Sequence, residues 1–519
     1  MVEVKQLLVV LENSNLDWSP GHPAAYDMYI TTLALIAVAL YLFYRYLTRR
    51  HNYWKTRGVP YEEPYSLAGN FWEVFSGKTQ IGKHLGKLYS RYNTPYFGIY
   101  ILGKPYLVIR SPEIVKNMAI KDFRNFDDRT FACDKNADEL AANSLFIMRN
   151  PDWKYIRNKL TPMFTSGKLR SMIDIVKTSA KSMETHLSAR DSAILDIKEV
   201  SSKYMTDVVA SCFFGYEANA FGDDDSEFFN FTKTMFASKW SFLSLFSYFF
   251  APALVSMLKL PFMEYGVLKG IFLDTLAYRQ RNGCRRNDFV DLLLQLRDNV
   301  NKERKDIDFG VDRMVAQSMT FFVAGFETTS NALAFALYEL CLRTDCQEKL
   351  REEIRRCIKN DEDITFDKVQ KMTYLDMVLS ETLRRYPFGP FLNRMCKEDY
   401  VIEQTGLLVE KGTPVLIPLD GLHYDPEYFP NPERFDPDRF VDDNKHHYAQ
   451  ACVYMPFGLG PRNCIGDRFG LICAKMGLVY ALRRFRFERS VETPTPLVLN
   501  PRTPFMMPLD GLKMRVEKL

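Results

Sequence analysis

The residues best suited to chemistry lie in one glycine-rich stretch near the carboxyl end of the chain. Residues 455–470 read MPFGLGPRNCIGDRFG, in which glycines and a proline surround a single cysteine, Cys464. Glycine permits the positive-φ turns that bring backbone N–H groups close to a sulfur atom. A helix that starts just after the cysteine would further stabilise a thiolate. The pattern predicts a loop that presents one thiolate to a large, flat partner, with Arg462 placed to meet an acidic group. An ordinary buried cysteine in a turn is the alternative.

A second polar cluster interrupts a long apolar segment with helical periodicity, residues 311–341. Helical spacing places five residues on one face of this segment: Thr320, Val323, Ala324, Glu327 and Thr328. A Glu-Thr pair in a buried helix costs free energy unless it is used. The small residues Ala324 and Gly325 would leave room beside that face for a flat cofactor and a small ligand. The alternative is a core helix in which the Thr328 hydroxyl bonds the carbonyl four residues back.

The rest of the chain predicts a mainly α fold, one large domain with small sheets. Residues 95–110 alternate apolar and β-forming residues around a Gly-Lys turn, which predicts a hairpin. Short strands are expected near 399–403 and 406–417, and a final helix near 467–484. Between residues 151 and 385 helical periodicity dominates, with long segments near 168–189, 193–213, 311–342 and 345–358.

Composition narrows the class of protein. The 519 residues are 47% hydrophobic, which fits a packed globular protein and excludes a wholly disordered chain. The net charge of 68 − 64 = +4 argues against a general nucleic-acid binder. The ten cysteines are scattered and include no CxxC pair, which disfavours a zinc ribbon and fits reduced thiols in a cytosolic compartment.

The amino-terminal region predicts a membrane anchor. Residues 28–47 read MYITTLALIAVALYLFYRYL, and about 20 helical residues span the hydrocarbon core of a bilayer. Cations follow at Arg49, Arg50, Lys55 and Arg57, so the positive-inside rule places the rest of the chain in the cytosol. A cleaved secretory signal is the alternative, but no small-residue cleavage site follows the run.

The remaining boundaries follow from this anchor. Residues 1–27 form a polar extension, and Met28 is a candidate initiator that would make the extension a gene-model artefact. Residues 48–70 are a basic, Pro/Gly-containing linker, and 71–519 form the large domain. The strongly apolar residues 240–263 are interrupted by two prolines. They are either buried core or a surface segment that dips into the bilayer.

The glycine-rich loop resembles a known family. Its Phe457, Gly460, Arg462, Cys464 and Gly466 match the FxxGxRxCxG haem-ligand loop of the cytochrome P450 family. Three further matches occur in the right order: AGFETT at residues 324–329, ExxR at Glu381 and Arg384, and PERF at residues 432–435. The resemblance covers essentially the whole chain after Met28. The stretches at residues 53–60, 164–168 and 288–290 look like the insect microsomal branch, which is linked to xenobiotic metabolism and is similar to the vertebrate 3A subfamily.

The resemblance implies haem b as cofactor, with Cys464 as the axial ligand of the iron and Phe457 beside it. It implies that haem propionates are held by Arg157 with Trp153, by Arg394 and by Arg462, with Arg129 a further candidate. In the family an acid-Thr pair delivers protons to iron-bound dioxygen, a role that falls to Glu327 and Thr328. Glu381, Arg384 and Arg434 would form a structural triad. The substrate pocket would be lined by the helix residues Thr320, Val323 and Ala324 and by Phe126, Phe146, Phe388, Gly389 and Leu392.

The function implied is a monooxygenase that uses O2 and NADPH-derived electrons to oxidise apolar small molecules. These would be xenobiotics such as insecticides or plant allelochemicals, or endogenous lipids and hormones. The chain has no nicotinamide fingerprint such as GxGxxG, so electrons must come from NADPH–cytochrome P450 reductase, with cytochrome b5 as a further partner. Arg468, Lys475, Arg483 and Arg484 are candidate docking cations. The expected location is the cytosolic face of the endoplasmic reticulum membrane. A haem-thiolate isomerase or dehydratase and a non-catalytic haem-binding protein remain as alternatives.

Overall fold

The computed structural model describes residues 23–65, 67–222, 227–234, 239–286, 288–303 and 309–519. The chain is predominantly helical, at 56%, with small sheets, which confirms the predicted fold class. The α-helices are α1 Pro23–Thr48, α2 Trp72–Phe75, α3 Ile81–Tyr89, α4 Pro112–Lys116, α5 Glu139–Ala142, α6 Asp152–Leu160, α7 Ser166–Ser171, α8 Ile173–Ser188, α9 Ile197–Phe214, α10 Glu227–Thr234, α11 Lys239–Phe250, α12 Pro252–Leu258, α13 Gly266–Asn282, α14 Phe289–Glu303, α15 Val311–Leu342, α16 Thr344–Cys357, α17 Phe366–Gln370, α18 Thr373–Arg385, α19 Leu419–His423, α20 Asn444–Gln450 and α21 Asp467–Arg484.

Among the described residues, nine strands form small sheets. The strands are β1 Tyr96–Ile101, β2 Lys104–Ile109, β3 Ile194–Asp196, β4 Phe391–Met395, β5 Tyr400–Val401, β6 Leu408–Val409, β7 Pro414–Pro418, β8 Phe485–Glu488 and β9 Lys513–Lys518. The sheet orders are β1-β2-β7-β4, β3-β9-β8 and β5-β6. The predicted hairpin is β1 and β2, which pair antiparallel. Its two-residue turn has positive φ at both Leu102 and Gly103, as the twist of a tight hairpin requires.

The long helix α15 runs through the middle of the largest hydrophobic core. It packs against α9 on one side and α21 on another. These helices agree closely with the sequence prediction, and α15 and α21 have the predicted bounds. The predicted helix at 168–189 is divided at Met172 into α7 and α8. Strong apolar periodicity therefore located the central scaffold that positions the site.

Within the described residues, one helix is long and apolar enough to cross a membrane. It covers Met28–Thr48, with a mean hydropathy of 1.7 and none of its most apolar window buried. This is consistent with a membrane anchor. The expected linker that follows packs onto the domain, since Trp54 is buried and donates from its indole N–H to Ile99 O. Most of the predicted polar extension, residues 1–22, lies outside the described residues.

The apolar segment 240–263 contributes to the core and also reaches the surface. Phe246, Phe249 and Phe250 of α11 are buried in the same cluster as Phe71 and Phe391. In α12, by contrast, the Met257 and Leu258 side chains point outward, with exposures of 71% and 51%. The core interpretation therefore holds for α11, while α12 keeps an apolar surface.

Candidate active site

Two glycines shape the loop that carries Cys464. Gly458 and Gly460 have φ of 78° and 71°, values that glycine adopts without steric cost. A Cβ on Gly460 would also collide with the carbonyl oxygen of Ala119. The Cys464 N–H donates to Phe457 O at 2.8 Å, and α21 begins at Asp467. The loop thereby presents Cys464 to an internal cavity of about 390 Å³.

The Cys464 side chain has free surface because it faces this cavity, although the cavity lies within the protein. Burial raises the pKa of the thiol to about 11, while the Gly466 N–H and the charges of Arg157 and Arg129 lower it. The Gly466 N–H acts in the expected direction, but burial prevails, so the loop by itself favours the neutral thiol. A bound metal cation would deprotonate the thiol outright.

Four arginines contribute to the lining of the same cavity: Arg129, Arg157, Arg394 and Arg462. Arg157 donates to the backbone and side-chain oxygens of Asn463 at 3.0 and 2.9 Å. Arg462 Nε donates to Asp127 O at 2.7 Å, and its guanidinium carbon lies 3.8 Å from the centre of the Trp153 ring. These contacts fix the guanidinium groups next to the cysteine loop.

The protein neutralises the arginine cluster only in part, through the contact of Arg462 Nη2 with Asp128 Oδ1 at 3.3 Å. Burial lowers the pKa of Arg394 to about 10 and that of Arg462 to about 9. Burial, together with the charges of the other three arginines, also lowers the pKa of Arg129. Among the described residues, Arg394 Nε and Arg462 Nη1 are buried without a hydrogen-bond partner. Because an unpaired buried charged donor is costly, the cluster fits a ligand that carries acidic groups.

The five residues that share a face of α15 all line the cavity: Thr320, Val323, Ala324, Glu327 and Thr328. The Thr328 hydroxyl donates to Ala324 O at 2.5 Å, the hydrogen bond of the core-helix alternative. The space expected beside Gly325 is taken by a neighbouring helix, because a Cβ there would lie 3.1 Å from Val209 in α9. That glycine serves the packing of α9 on α15.

The Glu327 carboxylate is bound to a lysine that the sequence did not indicate. Lys198 Nζ in α9 lies 2.9 Å from Glu327 Oε1, and Asn331 donates to the same oxygen at 2.8 Å. Lys198 also donates to the hydroxyls of Ser202 and Ser330 at 3.0 Å each. With 4% of Glu327 exposed, this is a buried, hydrogen-bonded ion pair. It links the acid beside Thr328 to the neighbouring helix.

The predicted substrate residues Phe146, Phe388, Gly389 and Leu392 also line the cavity. The prediction for Phe126 is wrong. Its ring is buried in a different hydrophobic cluster, with its centre 5.0 Å from that of Tyr400. Sequence reasoning missed several aromatic residues that line the cavity, among them Phe131, Phe249, Phe262, Tyr265 and Phe505. Of these, Phe249 and Phe262 had a compositional signal, because they lie in the apolar stretch 240–263.

The structural triad contains a different arginine from the one predicted. Arg384 donates to both carboxylate oxygens of Glu381 at 2.7 and 2.8 Å, and both side chains are fully buried. The third member of the triad is Arg439, whose Nε lies 3.5 Å from Glu381 Oε1. Arg434 is exposed, so its assignment to the triad is wrong. Residues 437–440 read Pro-Asp-Arg-Phe and repeat the Pro-acid-Arg-Phe pattern of residues 432–435. This second stretch was the signal that could have identified Arg439.

Two of the four expected docking cations are buried in ion pairs. Lys475 pairs with Asp376 at 2.7 Å, and Arg483 pairs with Glu184 and Asp361 at 2.6 Å each. Their side chains are therefore engaged inside the domain. Arg468 and Arg484 remain exposed.

Comparison with known proteins agrees with this arrangement. Residues 59–515 match the family model described as Cytochrome P450. The chain is 38% identical over 511 residues to "Cytochrome P450 6k1" of Blattella germanica, which covers 94% of this chain and 97% of that protein. It is 38% identical over 497 residues to "Cytochrome P450 6j1" of the same organism, covering 94% and 97%. It is 36% identical over 502 residues to "Probable cytochrome P450 6a23" of Drosophila melanogaster, covering 94% and 99%.

A helical fold around a cavity that joins a cysteine loop to a buried arginine cluster defines a haem-binding enzyme. The unpartnered donors of Arg394 and Arg462 fit the two carboxylates of that cofactor. The chain belongs to the cytochrome P450 family. It is a P450 monooxygenase with haem as cofactor and with O2 and NADPH-derived electrons as co-substrates.

Proposed function

We propose that Cys464 would hold the haem iron through its thiolate, with Phe457 beside it. The haem propionates would be held by the arginine cluster, against which Trp153 packs: Arg129, Arg157, Arg394 and Arg462. The observation that carries this proposal is the pair of buried, unpartnered arginine donors next to the cysteine loop. Thiolate-ligated haem, when bound, supplies the electron density that favours O–O cleavage. Glu381, Arg384 and Arg439 stabilise the fold behind this loop.

The substrates are apolar small molecules. Apart from the four arginines assigned to the haem propionates, the cavity is lined mainly by aromatic and aliphatic side chains, which leaves few charged groups to bind a charged substrate. Phe388 stacks on Phe505 with ring centres 4.6 Å apart, which forms a flat apolar wall. Such a lining excludes water and binds substrate by area rather than by specific hydrogen bonds. It suits xenobiotics such as insecticides or plant allelochemicals, and also endogenous lipids or hormones.

Glu327 and Thr328 move protons toward the cavity. The Thr328 hydroxyl lies on the cavity face of α15, and the neighbouring Glu327 is held by Lys198 from the α9 side. Lys198 is itself partly exposed, with 14% of its side chain accessible. Glu327 and Thr328 therefore connect the side of α15 that packs against α9, where Lys198 lies, with the side that faces the cavity. Thr328 can exchange its hydrogen bond to Ala324 O for one to a water molecule in the cavity.

Electrons come from NADPH–cytochrome P450 reductase, with cytochrome b5 as a further partner, on the face that carries the cysteine loop. Exposed cations on elements around that loop would attract an acidic partner: Lys116, Arg124, Lys154 and Arg468. Ile120, 46% exposed, lies among them next to Gly460 and offers an apolar contact. The α1 anchor holds the enzyme on the cytosolic face of the endoplasmic reticulum membrane.

The first test is the absorption spectrum of the reduced, carbon-monoxide-bound protein. We expect a strongly red-shifted Soret band for the unaltered chain and its loss in Cys464→Ser. Cys284→Ser, which changes an exposed cysteine outside the cavity, is the matched control and should keep the band. A thiolate-type band in Cys464→Ser would refute the ligand assignment. Reductase-dependent oxidation of a panel of apolar compounds then tests the substrate class, and activity confined to charged compounds would contradict it.

A further inference from the structure

Two segments from different parts of the chain form adjoining walls of the cavity. The first, the loop segment, is residues 131–146, and the second, the aromatic segment, is residues 242–265. The loop segment contributes Phe131, Leu140, Ala141, Ser144, Leu145 and Phe146 to the lining. The aromatic segment contributes Phe249, Phe262, Met263 and Tyr265. A molecule that passes between them must separate these two segments.

The carboxylate of Asp138 joins the two segments at several points, beside a hydrogen bond between Asp134 and Ser256 and one from the Ala132 N–H to Tyr248 O at 2.9 Å. Asp138 Oδ2 accepts hydrogen bonds from the Phe262 N–H at 2.8 Å and the Tyr265 hydroxyl at 2.9 Å. The Tyr248 hydroxyl lies 3.3 Å from the same oxygen and is shared with Leu260 O at 3.1 Å. The other oxygen, Oδ1, accepts from the Ala141 N–H at 2.9 Å and caps α5. Among the described contacts across the seam between the two segments, Asp138 Oδ2 therefore meets the most donors of the aromatic segment, and hydrogen bonds to a carboxylate are stronger than those between neutral groups.

The loop segment is fixed at its other end. Gln317 of α15, fully buried, donates to Asn143 O at 2.6 Å and accepts from the Leu145 N–H at 3.2 Å. The aromatic segment has no equally buried polar tie to α15 among the described contacts, and its α12 helix exposes apolar side chains. With the loop segment held by Gln317, an opening of the seam would move the part of the aromatic segment around Phe262 and Tyr265, while Phe246, Phe249 and Phe250 stay packed in the core.

We propose that Asp138 is a latch that controls the passage of substrate into and out of the cavity. The inference rests on the proposed function, because it takes the cavity to be the substrate site. Asp138 does not line the cavity, so it acts as a positioning residue through Phe262 and Tyr265. Entry and exit break the same hydrogen bonds. A weaker latch must therefore raise the association and dissociation rates by the same factor and leave the dissociation constant unchanged.

The test is stopped-flow binding of 4-phenylimidazole to the full-length holoenzyme, followed by the Soret shift. Asp138→Asn keeps the size of the side chain but replaces the ionised acceptor. We expect both rates to rise about tenfold, which corresponds to about 1.4 kcal/mol. Tyr265→Phe removes a single donor and should raise both rates by a smaller common factor. Tyr338→Phe is the control, because its hydroxyl bonds Pro494 O away from the seam, and it should behave as the unaltered chain.

Unchanged rates in Asp138→Asn or Tyr265→Phe would overturn the latch. So would a change in the dissociation rate alone, which is the signature of a lining contact. If Asp138→Asn does not fold, Tyr265→Phe decides. If the unaltered chain fails to bind 4-phenylimidazole, the proposed function fails, and the latch is judged separately by amide hydrogen exchange. Exchange in residues 242–265 should then rise in Tyr265→Phe and not in Tyr338→Phe, and equal exchange would refute the latch.

Discussion

At the scale of single residues, the behaviour of each buried polar group depends on whether the protein supplies its partner. Glu381 is fully buried and receives two donors from Arg384, so it is satisfied by the polypeptide alone. Arg394 and Arg462 each keep a buried donor without a partner. The first arrangement stabilises the fold, and the second prepares a site for an anionic ligand.

The sequence predicted Arg434 as the third member of the triad, and the structure places Arg439 there. Substitutions at these two arginines therefore form a matched pair of variants. Arg439→Ala removes a cation from a fully buried carboxylate, and we expect a loss of about 3 kcal/mol in the free energy of unfolding. Arg434→Ala changes an exposed side chain, and we expect an effect below about 0.5 kcal/mol. Thermal and denaturant unfolding of both holoproteins measures this. Equal losses in the free energy of unfolding, or a larger loss in Arg434→Ala, would contradict the assignment of Arg439 to the triad.

Asp207 predicts a pH dependence of stability. Burial raises its pKa from 3.8 to about 6. The folded state therefore binds this proton more tightly than the unfolded state, so the contribution to stability is complete below about pH 4 and is lost as the pH rises through 6. Asp207→Asn keeps the oxygen that accepts the Ala220 N–H. We expect it to stabilise the protein by about 2 kcal/mol at neutral pH and by much less near pH 4.5. A gain independent of pH would contradict this, and unfolding at the two pH values decides.

Sequence patterns predicted some of the residues that line the cavity and misplaced others, for a physical reason. The residues in the cysteine loop and on the α15 face are constrained by local geometry, through glycine conformations and helical spacing. Arg434 and Arg439 both lie in Pro-acid-Arg-Phe stretches, and the letters do not say which one the fold buries. The same applies to Phe126, which is as apolar as the lining residues but is packed elsewhere.

At the scale of elements, local rules predicted α15, α21 and the β1–β2 hairpin because their periodicity and turn residues lie in contiguous sequence. What packs against them depends on the tertiary fold. The approach of α9 to Gly325 and the pairing of Lys198 with Glu327 join residues that are far apart in the chain. No periodicity encodes such contacts, so the partner of the predicted proton-delivery acid was not foreseen.

The α12 helix allows a test of membrane contact beyond the anchor. Its Met257 and Leu258 are exposed, and such apolar surface is stable where it enters the lipid interface. A nitroxide attached through the substitution Met257→Cys, made in a Cys284→Ser background, should be accessible to oxygen and protected from a water-soluble nickel chelate when the full chain is in vesicles. A nitroxide attached through Val491→Cys, at an apolar position that is 99% exposed, should show the reverse. If the nitroxides at the two positions were equally accessible to oxygen and to the nickel chelate, α12 would lie in water and not in the lipid interface.

At the scale of the whole molecule, the fold and its cofactor site are coupled through charge. Arginines from α6, β4, the cysteine loop and the segment before α5 meet at one cavity. Each is separated from the others in the chain, so the cluster forms only when the domain is assembled. Burial lowers the pKa of Arg394 to about 10, which means that its charged form is disfavoured in the fold when no anion lies beside it. The acidic groups of haem would reverse that balance.

This coupling predicts that one substitution has opposite effects on two forms of the same protein. Arg394→Met removes a buried charge while keeping an apolar stem of similar length. In haem-free protein it should raise the free energy of unfolding by about 2 kcal/mol, because it relieves the unpaired donor and the repulsion from the other arginines. In the haem-bound protein it should lower stability by about 2 kcal/mol, because a propionate loses its cation. Lys154→Met, on an exposed face of α6, should change neither form. Unfolding measured on both forms decides, and a change of the same sign in both would show that Arg394 supports the fold independently of the cofactor.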